Sequence, residues 1–292
     1  MRNLIFLILL SSAFFGVSQP LNRSFENPDG SLKLLGQITL ERLTEEPFGE
    51  WYEENYKDHQ VDINILSTIE LPDSITVFMG TWCGDSRREV PRFIKILESQ
   101  NYDMHKLKII CLNTGFQNYK QAPEREERGV DIHRVPTFVF HEREGLEIGR
   151  IVEEPVISLE QDILKVLKGD DYQTAYPTAN KLIKYFNESS LKELRKKKSQ
   201  LINEFSEGEN VYELNTYGYV LWTSFQIPKA QFVFELNTKL FPQETITHQT
   251  LARFMNSLGK EKEALACVKK GLQIEPENEN LINLRERIKD KG

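Results

Sequence analysis

The residues best suited to chemistry are Gly80-Thr81-Trp82-Cys83-Gly84-Asp85-Ser86, set between an apolar run and an amphipathic one. A cysteine in the first turn of a helix faces unpaired backbone N–H groups and the positive end of the helix dipole. Both favour the thiolate, the nucleophilic form of the side chain. Trp82 can shield the sulfur on one side and leave the other open to a partner. Asp85 works the other way, because a nearby carboxylate disfavours a second negative charge. His133 and Arg134, just ahead of Pro136, are candidates to stabilise a thiolate if the fold brings them back to Cys83. The other cysteines, Cys111 and Cys267, fall in an apolar run and a helical run, and read as inert core thiols. Three cysteines are too few for a disulfide framework. His59, His105, His141 and His248 have no metal-ligand spacing. The chain has no phosphate-binding glycine loop, zinc motif or serine elbow, so neither a metal nor a cofactor is expected.

The elements that must position Cys83 follow from periodicity. Residues 75–80 (ITVFMG) are apolar and β-branched, with Pro72-Asp73-Ser74 before them and Gly80 at their end, which predicts a buried strand. Val90, Phe93, Ile94 and Leu97 recur at spacings of three and four, which predicts a helix over 85–99, kinked at Pro91. Further strands are expected at 107–112, 136–140 and 148–152. A helix over 158–167 begins at Ser158, with Gln161 placed as in a capping box. The order is strand, helix, strand, connection, strand, strand, helix. Ahead of it, residues 19–71 read as a polar extension, helical over 40–56 and interrupted at Pro47-Phe48-Gly49. Behind it, residues 170–187 read as a linker, and the basic run 195–198 as a solvated helix face.

With these elements in place, Trp82-Cys83-Gly84-Asp85-Ser86 resembles the W-C-x-x-C motif of the thioredoxin superfamily except at its last position. Val135-Pro136-Thr137 resembles that family's second signature, whose proline is cis and lies beside the active cysteine. The likeness covers residues 72–167 and implies an α/β thioredoxin-like fold for a domain over 72–169. It implies Cys83 as nucleophile, with Trp82 and Ser86 beside it in the catalytic group. Trp82, Gly84, Asp85, Val135, Pro136 and Thr137 would form the substrate platform, the Val135 backbone pairing with an extended segment. The chain departs from the pattern twice. Ser86 replaces the resolving cysteine, so a mixed disulfide must be released by an outside thiol. In that place Ser86 can donate a hydrogen bond to the sulfur instead. Val77 stands where dithiol members often carry a buried carboxylate.

The C-terminal part repeats itself. Leu214, Tyr217, Gly218, Leu221, Ala230, Phe234 and Pro242 return 34 residues later as His248, Leu251, Ala252, Met255, Ala264, Val268 and Pro276. This resembles the tetratricopeptide repeat, with its small residues at helix contacts and its late proline. Residues 211–292 are therefore expected to form an all-α repeat region, closed by a helix over 281–288, after a linker and helix over 170–210.

The net charge of −7 argues against a nucleic-acid partner. Arg2, the apolar stretch 4–16 and the small residues Gly16 and Ser18 form a signal-peptide pattern over residues 1–18. It predicts export to the periplasm or beyond, with no stable membrane insertion once it is removed. Two functions fit. One is thiol–disulfide exchange or isomerisation on protein thiols and disulfides through Cys83, with a protein or peptide docked on the repeats. The other is a non-catalytic adaptor whose thioredoxin-like site and repeats only bind.

Overall fold

The computed structural model of the chain describes residues 21–290 apart from Thr68, Asp171 and residues 207–209; the expected signal peptide, residues 1–18, lies outside the described residues. The apolar run ahead of the cysteine is β3 (Ser74–Met79), and it is central because both its faces are buried. It pairs in parallel with β4 (Leu107–Cys111) and antiparallel with β5 (Thr137–His141), so that Val77 lies between Ile109 and Phe138. The strand β6 (Glu147–Val152) continues the sheet antiparallel to β5.

Alternation along β3 sends Ile75, Val77 and Met79 to one face and Phe78 to the other. The first face is covered by α4 (Gly84–Ser99), whose Val90, Phe93, Ile94 and Leu97 are fully buried. Phe93 meets Phe138 with ring centroids 4.3 Å apart. The helix α4 runs through Pro91, which has no N–H to donate to the preceding turn. The same layer holds α5 (Leu159–Lys168), where the Ser158 hydroxyl accepts the Gln161 N–H at 3.2 Å. It also holds the short α1 (Glu41–Thr44) and α3 (Ile63–Leu66), and α2 (Gly49–Asp58), the break between α1 and α2 falling at Pro47-Phe48.

The extension over 19–71 holds more than helix. It opens with a hairpin of β1 (Arg23–Glu26) and β2 (Leu32–Ile38), and β2 pairs antiparallel with β4. The full strand order is β1-β2-β4-β3-β5-β6. The hairpin closes where the Asn27 N–H donates to the Ser31 carbonyl at 2.8 Å, with Gly30 at φ +82° in the turn. The hairpin pairs residues 32–35 with β1, while residues 36–38 pair with β4; this second pairing and the burial of Leu34 and Leu35 depend on the rest of the fold, not on the segment alone.

The C-terminal part is helical. Residues 170–187, expected as a linker, contain most of α6 (Pro177–Glu188), with Ala179, Leu182, Ile183 and Phe186 buried. Pro177 starts this helix instead of breaking a segment, because a proline in the first turn forfeits no intrahelical bond. After α7 (Leu191–Lys196) and α8 (Lys198–Glu204) come α9 (Val211–Thr223), α10 (Ile227–Leu240), α11 (Thr245–Ser257) and α12 (Glu261–Ile274). Every boundary of α9 and α10 returns 34 residues later in α11 and α12: 211 to 245, 223 to 257, 227 to 261 and 240 to 274. Gly218 admits the Phe234 ring where a Cβ would sit, which lets α9 and α10 approach closely. The last helix, α13 (Glu279–Lys289), buries Leu281, Leu284 and Ile288 against α11 and α12.

The second face of the sheet is covered by the connection between β4 and β5, and beyond it by α9. Phe116 packs edge-on against Tyr219 and Trp222, with centroids 5.9 and 5.3 Å away. The Gln121 amide donates to Thr223 Oγ1 at 3.3 Å, and Arg134 donates to the Tyr212 carbonyl at 3.5 Å. Among the described residues, no helix is long and apolar enough to cross a membrane.

Candidate functional site

Cys83 is the residue that caps α4 at its N-terminus, with extended backbone (φ −94°, ψ 126°). Its side chain is half-buried against the apolar cluster of Phe78, Ile110, Leu112 and Val135. The Val135–Pro136 peptide is cis, and the Cys83 thiol donates to the Val135 carbonyl at 3.2 Å. The fold thus brings Cys83 against Val135, 52 residues further along the chain.

The preceding residues are braced. Thr81 is buried, and its hydroxyl accepts the Leu34 N–H from β2 at 3.1 Å. Its carbonyl accepts from Arg87 Nε at 2.6 Å. The Trp82 indole N–H donates to the Leu112 carbonyl at 2.8 Å, which lays the ring over Gly80. A Cβ on Gly80 would come within 2.5 Å of that ring, so only glycine fits there. Gly84 is exposed and faces open space, which makes it an accessible edge of the site.

Other expected site residues take different parts. Ser86 is fully buried, and its hydroxyl accepts the Gly80 N–H at 3.1 Å. Among the described residues it forms no hydrogen bond to the Cys83 sulfur; it holds the strand-to-helix turn instead. Asp85 stands 4.0 Å from the sulfur, and Arg88 pairs with its other oxygen at 2.8 Å, which offsets its charge. Thr137 is buried, with its hydroxyl donating to the Arg134 carbonyl at 2.8 Å, so its side chain is turned away from any partner. Pro136 is buried too, and its carbonyl accepts the Glu153 N–H at 2.6 Å.

His133 and Arg134 serve the contact with the helices. The His133 ring is fully buried between Tyr176 and Tyr217. Burial pushes its pKa down to about 3, helped by the positive charges of Arg150, Arg134 and Lys120, so it is uncharged. Arg134 stacks on Tyr176 at 4.5 Å and pairs with Glu153 at 3.5 Å. Cys111 is sealed in β4, and burial pushes its thiol far up; Cys267, half-buried in α12, is raised for the same reason.

Lys120 is the residue that sequence reasoning misses. A lysine in a polar connection reads as solvated, yet this one is only 4% exposed. Its Nζ lies 5.0 Å from the Trp82 ring centroid and 5.5 Å from that of Tyr119. Its backbone is left-handed (φ 57°), and its N–H donates to the Asn113 carbonyl at 2.8 Å. Burial lowers its pKa to about 8, and the neighbouring Cys83 is the largest influence in the other direction.

Among the described residues, no cluster of three or more histidine, cysteine or carboxylate side chains could hold a metal ion. The chain matches no known protein-family description, no curated protein and no solved structure.

Proposed function

We propose that this protein exchanges thiols and disulfides through Cys83 on a thioredoxin-like scaffold, with tetratricopeptide-like helices beside the site. The observation that carries the reading is the half-exposed Cys83 sulfur at the N-terminus of α4, 3.2 Å from the Val135 carbonyl of a cis Val135–Pro136 peptide. The order β4-β3-β5-β6, with one parallel and two antiparallel pairings, supports the scaffold. The 34-residue recurrence of helix boundaries supports the repeats.

In the reaction, the Cys83 thiolate attacks one sulfur of a partner disulfide. A new S–S bond forms to Cys83, the partner's S–S bond breaks, and the second partner sulfur leaves as a thiolate that takes up a proton. Ser86 cannot resolve the mixed disulfide. A thiol of the partner, or a free thiol such as glutathione, attacks it and restores Cys83. No electrons are gained or lost overall, so the chemistry is exchange or isomerisation, suited to an exported protein in a compartment that holds disulfides.

One observation favours the adaptor reading: the Cys83 thiol itself occupies the Val135 carbonyl that an extended partner would use. Incubating the full chain with glutathione disulfide at pH 8 and weighing the product separates the two. Exchange predicts one glutathione adduct on the native protein, at Cys83, and none on Cys83→Ala. A native protein that stays unmodified for hours refutes exchange and leaves the adaptor.

A further inference from the structure

The geometry points to Lys120 as a positioning residue for the Cys83 thiolate, supplying a positive charge held against the indole of Trp82, the residue next to Cys83. This rests on the exchange reading above. Long cationic side chains normally keep their heads in water, yet Lys120 is buried to all but 4% of its surface. Among the described residues its Nζ makes neither an ion pair nor a hydrogen bond. Instead it lies over Trp82, the immediate neighbour of Cys83, and against Tyr119. An ammonium held there without a carboxylate is costly, and a negative charge gained beside it in one state of the protein would offset that cost.

The charged groups around it narrow the choice. Arg134 is a cation, and it is paired to Glu153 at 3.5 Å. Asp85 is paired to Arg88 at 2.8 Å. His133 is neutral and faces the helices. Tyr119 is a phenol whose ionisation is opposed by burial. Cys83 remains as the group able to gain a negative charge beside Lys120, and it is the largest of the influences that favour the protonated lysine. The arrangement answers the lack of a buried carboxylate at Val77: here the charge beside the sulfur is positive and fixed by the connection between β4 and β5, not by β3.

Two measurements on the full chain test this. The first is the rate of Cys83 alkylation by iodoacetamide against pH in the native protein and in Lys120→Met, which keeps an unbranched apolar stem. An opposite charge close enough to favour the thiolate typically shifts an acid by about one unit, so below the half-maximal pH the variant should react up to about tenfold more slowly. Its half-maximal rate should lie about one pH unit higher. The second needs no substitution. The Lys120 Cε resonance is titrated before and after Cys83 is blocked by a neutral carbamidomethyl group. Coupling is reciprocal, so blocking should make Lys120 lose its proton at lower pH. A native protein that forms no glutathione adduct refutes the exchange reading itself. A native protein that does form the adduct, with an unmoved alkylation profile in Lys120→Met or an unmoved Lys120 titration after blocking, overturns the role of Lys120 alone.

Discussion

Taking the protein from pH 7 to pH 5 should remove about 2 kcal/mol of stability through His133 alone. The residue is fully buried, and its folded pKa is about 3 against an ordinary value of 6.5. Burial is the main cause, and the cations Arg150, Arg134 and Lys120 add to it. A group that stays neutral in the fold but takes up a proton when released stabilises the unfolded chain as pH falls through 6.5. At pH 5 the unfolded histidine is almost wholly protonated, 1.5 units below its pKa, while the folded one is not. Each unit is worth about 1.36 kcal/mol, so the loss between pH 7 and pH 5 is about 2 kcal/mol, and it grows until the pH nears 3. The perturbation is His133→Leu, similar in volume and unable to titrate. Urea unfolding of both proteins at the two pH values gives a difference of differences. Other titrating groups cancel in it, and so does any change in absolute stability that the substitution brings. The loss on acidification should be about 2 kcal/mol smaller in the variant. His133→Phe, which keeps an aromatic ring between Tyr176 and Tyr217, should flatten the pH dependence in the same way. Equal losses in native protein and variants would refute the claim that a neutral, sealed imidazole sits in this contact.

Two further substitutions test the helices. In Gly218→Ala the new methyl would occupy the space of the buried Phe234 ring, and the overpacking should cost about 2 kcal/mol net of the better helix propensity of alanine, read from the urea midpoint. An unchanged midpoint would mean that α9 and α10 are not held this closely. Phe225, 82% exposed, holds a left-handed backbone (φ 61°) just after α9, so Phe225→Gly should raise stability by about 0.5–1 kcal/mol in a thermal melt. A lower melting temperature would show that the phenyl ring contributes packing that outweighs the backbone strain.

The parts of the site that are readable in the sequence are those whose signal is local. The run before Cys83 and the three-and-four spacing after it announce β3 and α4, because a central strand must be apolar throughout and its covering helix must be apolar on one face. The 34-residue repeat announces α9 to α12 because each hairpin solves the same packing problem. What is not readable depends on distant partners. The four residues of β1 are mostly exposed, and β2 is joined to the main sheet through residues 36–38, which pair with the distant β4. Pro177 and its turn-forming neighbours look like a linker until α6 is seen to start at that proline. His133 and Arg134 are near Cys83 in sequence logic, yet the aromatic residues that claim them, Tyr176 and Tyr217, come from beyond the sheet. Lys120 carries no signal at all, since its burial is produced by Trp82 from one side and the folded connection from the other.

The contact between the β4–β5 connection and α9 also sets a schedule. Gln121 meets Thr223, a residue 102 positions further along the chain. At a synthesis rate of roughly 5–20 residues per second, those positions take about 5–20 s to appear. For nearly all of that interval a growing chain already carries Cys83, Trp82 and Lys120, while the α9 side chains Tyr217, Tyr219 and Trp222 that cover His133 and Phe116 do not yet exist. The thiol is therefore made well before its surroundings are complete, and a newborn chain passes through a period in which the Cys83 thiol and an uncovered apolar face are presented together.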